Sequence, residues 1–405
     1  MKNAILLTLL VLFSVCSSAQ GVWTQKANVG GMERTGAVGL SINGKGYIGT
    51  GGTNVNPPTL YQDFWEWDPA TNIWTQKTNF GGGLRFNGVG FSIGTKGYIG
   101  TGTSDFPPYN PQIKTNDFWE WDQATDVWIQ KANFPGSTRD HAIGFSIGNK
   151  GYIGTGNLNN DLWEWDQATD TWTQKTSLPK GKDAACAFSI NNKGYIVLGD
   201  NTSGSTQELW EWDQNTDTWT QKASFPGIAR DGAVSFSIGT KAYVGTGCIG
   251  WPNNSVDVWE WDQSTDKWTQ ISNFGGLPRT AAIGFSIGQK GYIGTGGGGY
   301  PNSYHDFWEF SNIENTQIKE QSNFSLQIFP NPASNTIVIS YRSTLAGKLH
   351  ISVKNTLGKI VYYEQNNDFS GTINKAIDVG NNARGIYFVE VICGDNKRME
   401  KVILE

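Results

Sequence analysis

Basic side chains recur at matched positions along this chain: Arg34, Arg85, Arg139, Lys182, Arg230 and Arg279. Gathered around one axis, they would make a ring that accepts a carboxylate or an acidic sugar through charge-assisted, bidentate hydrogen bonds. Each is followed in the chain by an acid, namely Asp63, Asp117, Asp161, Glu208, Asp257 or Asp306. Pairing inside the ring would consume the same charge, so an open anion site and a set of internal ion pairs are competing expectations. One unpaired arginine would suffice to hold a carboxylate.

Of the 18 tryptophans, Trp251 in Gly250-Trp251-Pro252-Asn253-Asn254 alone lies outside a recurring pattern. With Tyr61, Phe106, Tyr109, Tyr300 and Tyr304 it could supply aromatic surface for stacking on sugars or for a protein hot spot. The competing expectation is that these aromatics pack down over the scaffold. The candidate ligand-binding set is therefore Arg34, Arg85, Arg139, Arg230, Arg279, Trp251, Tyr304 and His305. With only His141, His305 and His350 in the chain, no metal centre and no cofactor are expected. Glu33, Asp105 and Asp200 are acid/base candidates, but their spacing singles none out, and no catalytic residue is assigned.

The elements that must position these residues are written as a repeat. Phe64-Trp65-Glu66-Trp67-Asp68 recurs with its first tryptophan at Trp119, Trp163, Trp210 and Trp259, and in clipped form at Phe307-Trp308-Glu309-Phe310. A second signature, Trp-Thr-Gln-Lys or a close variant, starts at Trp23, Trp74, Trp128, Trp172, Trp219 and Trp268, so it precedes the first cluster and is missing after the last. A period of about 44 to 54 residues is that of propeller blades. The expected fold is all-β: a six-bladed propeller with four strands per blade, its last blade completed by the N-terminal strand, then a small C-terminal β-sandwich. In the first repeat the strands read as Ala37 to Ile42, Gly46 to Gly49, Phe64 to Asp68 and one at Trp74, joined by turns at Asn43-Gly44-Lys45 and Asp68 to Asn72. The first strand, rich in Ala and Gly, is expected nearest the axis, with large aromatics further out. Alternating strand direction gathers the variable loops, Thr53 to Gln62, Thr103 to Asn116, Asn157 to Asn160, Asp200 to Gln207, Cys248 to Val256 and Gly297 to His305, on the side that also carries the basic residues.

An Arg before the first strand, a Tyr before a Gly pair, and Asn160-Asp161-Leu162-Trp163 with Trp172 nine residues on resemble the kelch-repeat propellers. The resemblance covers residues 21 to 310 and implies fold rather than function, because propellers serve enzymes, lectin-like binders and scaffolds alike. Sialate mutarotases are similar in being exported six-bladed kelch propellers, which implies a sugar-acid mutarotase as an alternative function. Tyr304-His305 with His141 faintly resembles a galactose-oxidase copper site, but the blade count differs and no cysteine is clearly placed. His141 is expected to make a structural bond beside Arg139.

Met1 to Ala19, with Lys2, an apolar run from Ala4 to Phe13 and Ser17-Ser18-Ala19, has the form of a cleaved secretory leader. Residues 311–323 read as a linker. The segment 324–405 carries Phe329-Pro330-Asn331-Pro332, Asn355-Thr356-Leu357-Gly358-Lys359-Ile360-Val361, Gly385-Ile386-Tyr387-Phe388-Val389 and Lys401-Val402-Ile403. In that order these motifs closely resemble the type A C-terminal sorting domain of the type IX (Por) secretion system. The resemblance implies passage across an outer membrane, with the secretion machinery as a partner, and release or attachment at the cell surface. Its strands are expected at Ser325 to Phe329, Thr336 to Ser340, Lys348 to Val353, Lys359 to Tyr363, Gly385 to Val391 and Lys401 to Leu404.

A net charge of −5 without a basic stripe argues against nucleic acid as a partner. Three cysteines remain beyond the leader, too few and too scattered for a disulfide framework. The expectation is a monomeric, non-enzymatic recognition protein, secreted or at the cell surface, that binds glycan or extracellular protein through its loop side. A sugar-acid mutarotase is the first alternative and a structural adhesion component the second.

Overall fold

A computed structural model describes residues 21–105, 112–312, 324–393 and 396–405; the leader, Phe106, Tyr109 and most of the linker lie outside them. The chain divides into two compact units, Met1–Ile313 and Glu314–Glu405.

The first unit is a ring of six four-stranded antiparallel sheets. In the first blade the strands run Val38–Ile42, Lys45–Gly49, Phe64–Asp68 and Ile73–Lys77, within a residue or two of the sequence expectation. The sixth blade takes Ile283–Ile287, Lys290–Gly294 and Phe307–Ser311 from the end of the repeat, and Val22–Gln25 from its beginning. Trp23 faces Phe310 across that last pairing.

The innermost strands are not uniformly small, as the sequence reading expected; they are small on one face. A Cβ on Gly90 would sit 2.1 Å from the Val38 side chain of the preceding blade. On the other face the buried Phe91 fills the place where a Cβ on Gly151 of the next blade would come within 2.3 Å of its ring. Blades therefore interlock, knob to glycine, which is how they approach one another near the axis.

Polar ties repeat at each level of the ring. On the turn side, Gln123 donates to the Tyr47 hydroxyl of the preceding blade (2.7 Å), which donates to Glu66 (2.9 Å), and Lys45 donates to the same carboxylate. Gln167, Gln214, Gln263 and Asn312 repeat the tie to Tyr98, Tyr152, Tyr195 and Tyr243. Pro69 holds this position in the first blade, and a proline offers no side-chain donor for Tyr292 of the sixth. At the rim, the Trp128 indole donates to the Thr78 carbonyl while Asp126 accepts the Thr78 N–H, and the same clasp joins the sixth blade to the first through Trp74, Ala27 and Asn72. Between the fifth and sixth blades it is replaced, among the described residues, by a single bond from Ser272 to the Gly21 carbonyl, and the buried Trp23 Nε1 has no hydrogen-bond partner among them. The ring is thus sewn least where the chain's beginning meets the last repeat.

In the second unit, two long strands, Thr336–Asn355 and Ile360–Asp378, replace the shorter separate ones expected, and both carry on through register shifts near Ser343 and Gly347. Such bulges let one strand serve two parts of a sheet. Ile337, Ile339 and Tyr341 before the bulge share one core with Leu349, Ile351 and Val353 after it, closed by Val389, Val391 and Val402.

Candidate functional site

Each first strand begins at the loop side, and the basic residue ahead of it turns inward. Arg34, Arg85, Arg139, Arg230 and Arg279 are at most 1% exposed. Arg34 donates from both terminal nitrogens to Asp63 at 2.6 Å, from Nη1 also to the Thr50 carbonyl, and from Nε to the Met32 carbonyl. Asp63 accepts in addition from the Trp65 indole (2.7 Å). The same set recurs at Arg85–Asp117, Arg139–Asp161, Arg230–Asp257 and Arg279–Asp306. Phe80, Phe134, Phe225 and Phe274 lie beneath Arg85, Arg139, Arg230 and Arg279, with the guanidinium carbon 4.7–5.0 Å from the ring centre. Burial pushes Asp117, Asp257 and Asp306 up, yet their arginine partners hold all three below the ordinary carboxylate value. In the fourth blade Lys182 replaces Arg, pairs with Glu208 (2.9 Å), and is pushed down by burial.

This geometry spends every guanidinium on its own blade. A ligand carboxylate would have to displace an internal aspartate to reach one, so the arginines act as anchors for the third strands. They also anchor the neighbouring blade: the backbone N–H of Gly51 donates to the Arg85 carbonyl, and equivalent bonds of 2.7–3.0 Å run from Gly102, Gly156, Gly199, Gly247 and Gly296 to complete the circle.

Two residues beyond each basic residue, Gly36, Asn87, His141, Ala184, Gly232 and Ala281 line the mouth of the axial channel, all left-handed with φ of 47–60°. Five of the six links between them are backbone hydrogen bonds among the described residues, from Asn87 N–H to the Gly36 carbonyl and onward. The mouth encloses a cavity of about 120 Å³. His141, two residues beyond Arg139, makes a hydrogen bond of 2.7 Å to Asn87 of the neighbouring blade. At the channel's other end, a cavity of about 170 Å³ is lined by Ser41, Ser92, Ser146, Ser189, Ser237 and Ser286.

Beside the mouth lies an acidic sector. Asp183, Asp200 and Asp231 converge on one sector with Cys248: Asp183 pairs Asp200 and Asp231 pairs Cys248 through the backbone. Asp183 accepts the Asn157 N–H and Asp200 the Ser205 hydroxyl, both at 2.6 Å. Asp231 is pushed up to about 6, by burial first and then by the charge of Asp200, with His141 opposing. The same two acids, after burial, hold the Cys248 thiol up. Sequence reasoning named Asp200 and His141 but missed Asp183 and Asp231. A blade-by-blade alignment at the residue after the basic one, which reads Thr35, Phe86, Asp140, Asp183, Asp231 and Thr280, carries the signal.

Among the loop aromatics, Trp251 is 71% exposed and Tyr300 61%, whereas every other tryptophan described is buried or half-buried in the blades. Their loops touch: Asn254 donates to the Gly297 carbonyl. Tyr304 is half-buried with its ring 4.6 Å from the Arg279 guanidinium carbon, and Tyr61 lies likewise on Arg34 at 4.9 Å. His305 bonds Asn28 at 3.0 Å. Glu33 and Asp105 are exposed. No group of three or more His, Cys, Asp or Glu suited to a metal ion occurs among the described residues.

Residues 327–405 match the family described as the secretion system C-terminal sorting domain. The tail therefore directs export by the type IX route to the cell surface or the extracellular space, through contact with the secretion machinery. Among solved structures, the chain is similar to that of YjhT, with a TM-score of 0.60 and 16% identity over 69% of this chain and 95% of that one. At that identity the likeness speaks for the fold alone. No curated protein matches the chain.

Proposed function

We propose that this exported propeller is an extracellular recognition protein that binds a surface ligand, glycan or protein, through its loop side. The observation that carries this reading is Trp251. A large aromatic exposed over 71% of its surface, on a loop bonded to that of the exposed Tyr300, has no role in blade packing. Such side chains provide contact area at low entropic cost. Trp251 and Tyr300 form the contact surface; Tyr304 packs between Gly298 of this loop and Arg279, His305 ties the loop's end to Asn28, and the five arginines fix the strands that carry it. Panels of immobilised glycans and cell-surface proteins test this reading: the secreted chain binds selectively, and Trp251→Ala with Tyr300→Ala abolishes binding without unfolding the protein. Retention of full binding in that variant would sink it.

One observation favours a sugar mutarotase as the second reading. Asp231, held at about 6 next to the mouth cavity, is suited to proton transfer near neutral pH. A sugar-acid substrate would meet Asp183, Asp200 and Asp231 at the mouth rather than an unpaired arginine, which argues for a neutral sugar if the site turns over at all. Anomerisation accelerated by catalytic amounts of protein, and lost in Asp231→Asn, would favour this reading over binding.

A further inference from the structure

From the loop-side geometry we infer that the partner is a protein surface combining apolar side chains with lysine or arginine. The inference deepens the recognition reading and rests on it. Between the outer strand of one blade and the first strand of the next, the chain passes over the loop side just ahead of the basic residue. There Met32 is 62%, Leu84 45%, Ile228 60% and Leu277 60% exposed. The cause is local: each arginine Nε grips the carbonyl of that residue, Met32, Leu84, Ile228 or Leu277, and the side chain is left outside. These positions belong to the first, second, fifth and sixth blades, which are consecutive around the closed ring. Trp251 and Tyr300 rise from the loops of the fifth and sixth. The first-blade loop joins them, since Asn54 bonds Ser303 through its backbone (2.8 Å) and the Asn302 carbonyl through its side chain.

The third and fourth blades break the arc. Their equivalent residues are Ser137 and the exposed Lys180, and this is the half that supplies Asp183 and Asp200. The loop side thus exposes one aliphatic side chain on each of four consecutive blades and is bordered by acids on the inner edge, with the exposed Glu33 beside Met32. Methionine, leucine and isoleucine offer nothing specific to a sugar ring, whereas aliphatic residues around exposed aromatics are the composition of a protein contact. The bordering carboxylates select a basic counterpart by charge complementarity. The Asp231 carboxylate has no hydrogen-bond partner among the described residues, so it is available for a cation.

The test uses the full secreted chain and fluorescein-labelled amphipathic peptides, one of leucine and lysine and one of leucine and glutamate, read by anisotropy. The leucine–lysine peptide is expected to bind and the leucine–glutamate peptide not. A Met32→Ser, Ile228→Ser, Leu277→Ser variant should weaken binding by about tenfold or more while melting at the parent temperature. Asp200→Asn with Asp231→Asn should weaken it and flatten its salt dependence. Equal binding of both peptides, or binding indifferent to the serine variant, overturns the inference. A neutral glycan that binds through Trp251 while the serine variant retains it overturns the inference and leaves the recognition reading standing. Binding of neither peptide nor any panel member overturns both.

Discussion

Arg139 shows what a buried charge does at the mouth of this ring. Its removal would strand Asp161 beside the Trp163 indole with no cation to balance it. Arg139→Leu is therefore expected to cost about 3 kcal/mol in urea denaturation, and Arg139→Leu with Asp161→Leu clearly less than the single change. An equal or larger loss in the double variant would mean that the pair itself, not the stranded carboxylate, holds the strand. Asp231 works in the opposite sense. Its folded-state value is raised, so the native state binds a proton that the unfolded chain has already released between pH 4 and about 6. Stability from this group is present below that window and falls as pH rises through it. Asp231→Asn should abolish the fall and stabilise the protein at pH 7 by about 1 kcal/mol after allowing for solvent screening, which thermal melts across the window would show. Residue types recurring once per blade were readable as a ring. Whether their charge was open or spent was not, because that depends on which carboxylate comes within hydrogen-bond distance, and spacing alone left both outcomes standing.

Strands and turns were the most legible level. Phe64–Asp68 falls where the sequence places it because alternation, a Pro-containing turn and six-fold repetition all agree. The small hairpins inside the variable loops, such as Asp200–Asn201 with Gly204–Ser205, were not foreseen, since two-residue pairings carry no periodicity. The long strands of the tail were also missed: Ser343 to Gly347, with small residues and a glycine, look like a turn, although the strand continues through a shift of register there. The closing strand is the element with the sharpest consequence. Without Val22–Gln25, the strand Phe307–Ser311 would present an unpaired edge, and Trp23 would no longer cover Phe274 and Phe310. A chain lacking residues 21–26 should aggregate, and a synthetic peptide of those residues added in trans should restore monomers in size-exclusion chromatography. Monomers without the peptide would show that the other blades close the ring unaided.

At the scale of the whole molecule, two units carry two messages. The sorting domain of residues 327–405 carries the address, so deletion of that segment should leave the propeller inside the outer membrane, as fractionation with an antibody to the propeller would reveal. On the proposed function the propeller does the recognising: its tightly tied turn side, with one Gln–Tyr–Glu set after another, leaves the loop side as the place where blades differ. Recognition requires that side to be a contact surface rather than a cover. Protection of the loops in hydrogen exchange, measured on the full secreted chain with and without cell envelopes bearing its ligand, tests this most directly. Slowed exchange in the peptides spanning Trp251 and Tyr300, with the turn side unchanged, is the predicted result. Protection confined to the turn side, or to the sorting domain, would contradict it.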